Sequence, residues 1–175
     1  MIDWIKNIIN EYPEFWKNYL SKFDIKANRY VVLSIETDGF DAQNCNILSI
    51  GAVAIIDNNI LINDSFEIAI NNSENNEIEQ FINYINNSIL IGYHINSDIE
   101  IINIALEKMK CGRLKNEAFD VEIMHQRLVL ANEKRFDIDE LLKIYSISKS
   151  ERYFASNEAF SIAMLFLKLK ARLKL

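Results

Sequence analysis

The chain has 175 residues, half of them hydrophobic and a quarter charged, with a formal net charge of −6. That length supports one domain with its own core, and the apolar content excludes a disordered chain. The acidic balance excludes broad electrostatic binding of nucleic acid, which needs Lys and Arg on phosphates, but it leaves room for a small acidic site that meets phosphate through metal ions. No apolar run is long enough to span a membrane, and Asp3, Lys6 and Asn7 interrupt the N-terminal stretch, which argues against a secretory signal. Cys45 and Cys111 stand far apart without the spacing of a zinc or disulfide motif. A cytoplasmic protein with reduced thiols is expected.

Residues 2–23 place Ile5, Ile8, Ile9, Tyr12, Phe15, Trp16, Tyr19, Leu20 and Phe23 at steps of three and four. This predicts helix, broken near Pro13 into two pieces. Residues 1–28 thus read as an N-terminal helical extension, either packed on the domain or offered to a protein partner. Residues 29–35 (RYVVLSI) suit a buried strand, residues 47–56 (ILSIGAVAII) a second and residues 60–70 a third, with Asp57-Asn58-Asn59 as the hairpin turn between the last two. The pattern then changes to a helix at 77–85, a short strand at 89–92 and a helix at 96–110. A brief strand at 118–121 follows, and then helices at 121–130, 138–145 and 157–173. An antiparallel meander followed by alternating helices and strands predicts an α/β domain over residues 29–175. The expected architecture is a mixed five-stranded sheet flanked by helices, in the order of a ribonuclease-H-like fold.

Carboxylates two residues apart on a strand share one face, which directs attention to the end of the first strand, at residues 34 and 36. The segment from Val31 to Phe40 reads VVLSIETDGF, and Asn46 to Val53 reads NILSIGAV. Residues 90–98 read LIGYHINSD, and residues 152–159 read RYFASNEA. In this order, these three segments resemble the motifs of the DnaQ-like (DEDDh-type) 3′→5′ exonucleases: apolar-apolar-Asp-x-Glu-Thr-Thr-Gly-Leu followed by Ile-x-x-Ile-Gly-Ala-Val, then Val-Gly-His-Asn-x-x-Phe-Asp, then Arg-His-x-Ala-x-x-Asp-Ala. The resemblance spans about residues 29 to 173.

The resemblance implies a metal-dependent phosphodiester hydrolase using Mg²⁺ or Mn²⁺ and acting on the 3′ end of a single-stranded nucleic acid. It makes Glu36, Asp98 and Glu158 the metal-binding positions. It places Ser34 where the family has the Asp that bridges both metals, and Tyr153 where the family has its general-base His, since 158 − 153 = 5 is the family's His-to-Asp step. Thr37, Asp38, Gly39, Phe40, His94 and Asn96 fall at positions expected to meet nucleic acid.

The departures are as informative as the match. A Ser hydroxyl is a poor bridge between two dications. Glu158 is one methylene longer than the family's Asp. A Tyr, with an ordinary pKa near ~10, is a weak base at neutral pH. Phe154 stands at the step of four where a related subclass carries a catalytic Tyr, and it has no proton to exchange. Three readings follow: a homologue with impaired or lost catalysis and possible binding of one ion or none, an active nuclease in which Asp38 swings toward the gap at 34, or a non-catalytic protein-interaction domain whose contact is the N-terminal aromatic helix.

Overall fold

The computed structural model describes residues 11–39, 41–70, 74–130, 134–148 and 155–175. Helix α1 spans Glu14–Ser21, with Pro13 at its N-cap, and a single 3₁₀ turn over Lys22–Asp24 leads to the sheet. The strands are β1 (Tyr30–Thr37), β2 (Ile47–Ile56), β3 (Asn59–Ala69), β4 (Ile89–Gly92) and β5 (Ala118–Asp120). The remaining helices are α2 (Glu74–Ile85), α3 (Ile95–Lys108), α4 (Val121–Val129), α5 (Ile138–Ile144) and α6 (Ala155–Leu173). The sheet order is β3-β2-β1-β4-β5, with β1–β2 and β2–β3 antiparallel and β1–β4 and β4–β5 parallel. This is the mixed five-stranded sheet expected from the sequence.

Alternation along β1 divides the core in two. Val31 and Leu33 join a cluster built with α1, α2 and α3, while Val32 joins one built with α4, α5 and α6. A sheet covered on both faces needs strands that are apolar throughout, and β1, β2 and β4 have that character. Asp57 and Asn58 both adopt positive φ, at 50° and 62°, and make the tight β2–β3 turn, a conformation that short polar side chains tolerate. In β3 the pairing jumps from Val53↔Ser65 to Ala54↔Leu61, so residues 62–64 are pushed out of the ladder. The displaced Asp64 is gripped by Arg29 through Nε at 3.2 Å and Nη2 at 3.0 and 3.1 Å. Arg29 also donates to the Tyr84 carbonyl and Ser88 Oγ, and Tyr84 donates its hydroxyl to the Asp64 carbonyl.

Helix α1 turns its aromatic face inward. Phe15, Trp16 and Tyr19 are buried, Trp16 stacks on Tyr19 at 4.5 Å, and the Tyr19 hydroxyl donates to Asn116 Oδ1 while accepting from the Lys115 N–H. Asn116 in turn donates to the carbonyls of Asn86 and Ser88. Of the two readings of these aromatics, packing on the domain is the one found within residues 12–19, where they are spent on the chain's own core. The first predicted helical piece, residues 2–10, lies outside the described residues. Trp16→Ala is expected to cost about 3–5 kcal/mol, the usual penalty for emptying a large aromatic site, as a lowered urea midpoint with an unchanged slope.

Where the predicted helix starts err, they err late. Helix α2 begins at Glu74 rather than 77, and α6 at Ala155 rather than 157. Polar first turns contribute nothing to an apolar periodicity, so reading by periodicity enters a helix late.

Candidate functional site

The parallel strands β1, β4 and β5 end on the same side of the sheet, and the candidate residues sit at those ends. Ser34 is buried on β1, opposite Gly51 of β2. A Cβ added to Gly51 would meet the Ser156 nitrogen at 2.0 Å and the Ala155 carbonyl carbon at 2.1 Å. The start of α6 therefore rests directly on the backbone of β2 beside Ser34, with Glu158 in its first turn. From β3, across the strand pair Gly51↔Glu67, the Glu67 carboxylate accepts the Ser156 N–H at 2.7 Å. An anion there suits the positive end of the helix.

Helix α3 starts at the end of β4, after His94, which adopts the left-handed conformation (φ 52°, ψ 37°). No side chain of its own N-cap holds that helix. Asp120 does so instead from the end of β5: Oδ2 accepts from the Ile95 N–H at 3.2 Å, while Oδ1 accepts from the Glu122 N–H at 2.8 Å and the Ile123 N–H at 3.4 Å. One carboxylate thus ties the beginnings of α3 and α4 together. Asp98 lies one turn into α3. Desolvation there, reinforced by the charges of Glu158 and Asp120, pushes its carboxyl well above the ordinary carboxylate range. Asp98, Asp120 and Glu158 accordingly share one electrostatic neighbourhood.

The other sequence-predicted residues are placed as follows. Glu36 is exposed near the end of β1 and accepts from Ser49 Oγ at 2.8 Å. Asp38 is exposed, and its two oxygens accept from the N–H and Nδ2 of Asn46, both at 2.7 Å. Those hydrogen bonds lower its pKa and commit it to closing the loop over residues 39–45. Asp38 here clasps the loop rather than reaching toward position 34. Thr37 Oγ1 donates to the Gly39 carbonyl at 2.7 Å. Asn96 is exposed on the first turn of α3. Phe40, Tyr153 and Phe154 lie outside the described residues.

Sequence reading passed over a second polar centre next to this one. Glu122 on α4 is 1 % exposed, yet it accepts from the Phe136 N–H at 2.9 Å, from Gln126 Nε2 at 3.2 Å and from His94 Nε2 at 3.0 Å, with Arg135 Nη1 at 3.5 Å. Burial draws its pKa upward, but the hydrogen bonds from Phe136 and His94 and the neighbouring cations outweigh it and keep the carboxyl below its ordinary value. His94, expected from the sequence to meet nucleic acid, is anchored here with its ring stacked on Tyr93 (4.0 Å, 20°). His125 is buried with Nδ1 2.9 Å from the Tyr145 hydroxyl, and desolvation lowers its pKa.

The donor set does not fit a two-ion centre. Ser34 brings a hydroxyl where a bridging carboxylate is needed, and one Glu36 oxygen is engaged by Ser49. Among the described residues no three of His, Cys, Asp and Glu gather closely enough to hold a metal ion. Nor, among the described residues, is any helix long and apolar enough to cross a membrane.

No family model matches the chain. A stretch of the PolC-type DNA polymerase III of Thermotoga petrophila is 25% identical over 166 residues, covering 83% of this chain and 12% of the polymerase. Among solved structures, E. coli exonuclease I in complex with a dT13 oligonucleotide superposes with a TM-score of 0.69 at 12% identity, over 85% of this chain and 42% of that one. This chain has the DnaQ-like exonuclease fold. The zinc-bound E. coli exonuclease I complex with single-stranded DNA gives a TM-score of 0.67 at 9% identity, over 84% of this chain and 41% of that one. The chain thus spans about an eighth of the polymerase and two-fifths of the exonucleases. In this fold, the sheet order and the joint start of α3 and α4 under Asp120 bring Asp98, Glu158 and Ser34 to one end of the sheet.

Asp98→Asn tests the electrostatics of that end. A carboxyl whose pKa is raised on folding contributes its full stability below the unfolded pKa, ~3.9 for Asp, and loses it as the pH rises through the folded value. The Asn variant carries no such penalty. It should match the parent near pH 3.5 and exceed it by roughly 0.5–2 kcal/mol at pH 8, the usual gain from relieving a strained site. Thermal melts across that range check the sign. A variant less stable than the parent at pH 8 would contradict the proposed electrostatic strain.

Proposed function

We propose that this chain is a DnaQ-like exonuclease homologue that engages the 3′ end of a single-stranded nucleic acid and has lost most or all of the hydrolytic chemistry. The observation carrying this reading is Ser34: a buried hydroxyl on the strand face toward α6, at the position the resemblance gives to the bridging carboxylate. Tyr153 at the general-base position supports it further, because base assistance alone is worth about 10²–10⁴ in rate. On this reading, Glu36, Asp98 and Glu158 bind at most one Mg²⁺ or Mn²⁺ weakly, and Thr37, Asp38, Gly39, Phe40, His94 and Asn96 meet the strand. The exonuclease I neighbours include complexes with a dT13 oligonucleotide, with single-stranded DNA and with the SSB C-terminus, which makes a short unpaired strand the first ligand to try. The free cysteines Cys45 and Cys111 accord with a cytoplasmic setting.

The test pairs a calorimetric Mn²⁺ titration with degradation of an end-labelled single strand. Binding of the strand with little or no digestion is the expected result. Metal-dependent digestion that disappears in Glu36→Ala would replace this reading with that of an active enzyme of altered ligands.

A further inference from the structure

Beside the candidate site, an open cleft of about 730 Å³ lies between the start of α3 and the segment leading into α5. Four carboxylates line it, yet each already accepts hydrogen bonds from the chain itself. Asp120 takes backbone N–H groups of Ile95, Glu122 and Ile123, while Asp137 and Glu140 take each other's backbone N–H in a capping box. Glu122 takes Phe136, Gln126, His94 and Arg135, as described above. What remains directed outward is of a different kind: the stacked rings of Tyr93 and His94, the amide of Asn96 and the guanidinium of Arg135. The His94 side chain is 53% exposed and that of Arg135 81% exposed, although both are anchored on a carboxylate that is 1% exposed. The Tyr93 hydroxyl donates to the Phe136 carbonyl at 3.0 Å, which fixes the lower ring of the stack.

A held aromatic face next to a held cation suits one ligand chemistry well. Unpaired nucleobases stack on aromatic side chains whatever their identity, and Arg meets the phosphate that follows. We propose that this cleft is a nucleotide subsite outside the candidate metal site, where an unpaired base stacks on the Tyr93–His94 pair and its phosphate meets Arg135. Glu122 is the positioning residue that holds His94 and Arg135 in place. The inference rests on the reading of the chain as a single-strand binder and deepens it by assigning a second contact point along the strand.

The experiment uses the full chain in EDTA, so that no strand is digested, with two fluorescent probes: dT10 and the same length of strand made of abasic sites. The parent is expected to bind dT10 about tenfold more tightly than the abasic strand, in line with the worth of one stacked base. His94→Asn removes the ring while keeping a residue that accepts the left-handed backbone, and it should erase most of that preference. Arg135→Ala should weaken both strands and reduce the dependence of log affinity on log salt by about one. Lys26→Ala, at the other end of the strands, should change neither. A parent that binds neither probe overturns this inference together with the single-strand reading. A parent that binds dT10 with the base preference intact in His94→Asn overturns the subsite alone. So does an equal loss on both probes in that variant, which would indicate a phosphate-only surface.

Discussion

Gly51→Ala should hinder the docking of α6 and lower the melting temperature well below that of the parent. The reason is distance. The new methyl would sit 2.0 Å from the Ser156 nitrogen and 2.1 Å from the Ala155 carbonyl carbon, and both are backbone atoms that no rotamer change can move. Helix α6 would have to lift away from β2. It carries Ala159, Ile162, Ala163, Leu165, Phe166 and Leu169, all buried, so the cost falls on one of the two core clusters. Overpacking a well-filled interior typically costs about 1–3 kcal/mol, and a clash with backbone belongs at or above the upper end of that range. A marginally stable domain of ~5–15 kcal/mol then loses a large share of its stability. Gly92→Ala is the internal control: the closest atom there is Ile95 Cδ1, at 2.8 Å, the free end of a side chain that can turn aside. A thermal melt in which Gly51→Ala is no less stable than Gly92→Ala would mean that the α6–β2 contact is not as close as described.

Ser34→Asp addresses the chemistry directly. If Ser34 occupies the place of a lost metal ligand, restoring the carboxylate should raise Mn²⁺ affinity at least tenfold in a calorimetric titration. The opposite effect should appear without metal. A buried carboxylate facing the end of the sheet that already holds Asp98, Asp120 and Glu158 lacks a partner, and uncompensated buried charge costs several kcal/mol. The apo variant should therefore melt well below the parent and recover as Mn²⁺ is added, because an ion that binds only the folded state stabilises it by mass action. Adding Tyr153→His should lift strand degradation a further ~10²–10⁴, the range for general-base assistance. A Ser34→Asp protein whose melting point ignores Mn²⁺ would remove the basis for reading position 34 as a vacated ligand.

Much of the architecture could be read from the sequence because each strand and helix announces itself locally. The apolar runs of β1, β2 and β4 mark strands covered on both faces, Asp57-Asn58 marks the hairpin, and periodicity marks the helices. The glycine of the Ile-Gly-Ala-Val segment was legible as a motif position, but its physical reason, the helix terminus resting on it, is a tertiary fact. Asp120 was overlooked although its signal was available: an Asp directly before a helical period is an N-cap pattern. That it also caps α3 from 25 residues away is invisible in sequence. Glu122 and Glu67 gave no signal at all. One looks like a polar residue on an amphipathic helix and the other like an outward position on an alternating strand. Only the approach of His94 and Phe136 to the first, and of the α6 terminus to the second, gives them roles.

The displaced stretch of β3 bears on how this molecule avoids sticking to itself. An outermost strand of 11 residues leaves a row of unused N–H and C=O groups, a template on which another chain can build intermolecular sheet. Residues 62–64 break that row in the middle, and the clasp from Arg29 to Asp64 keeps the break in place although it leaves Ile62 70% exposed. The strand therefore offers an incoming chain two short lengths instead of one long one, so the distortion serves as protection against fibril-like growth.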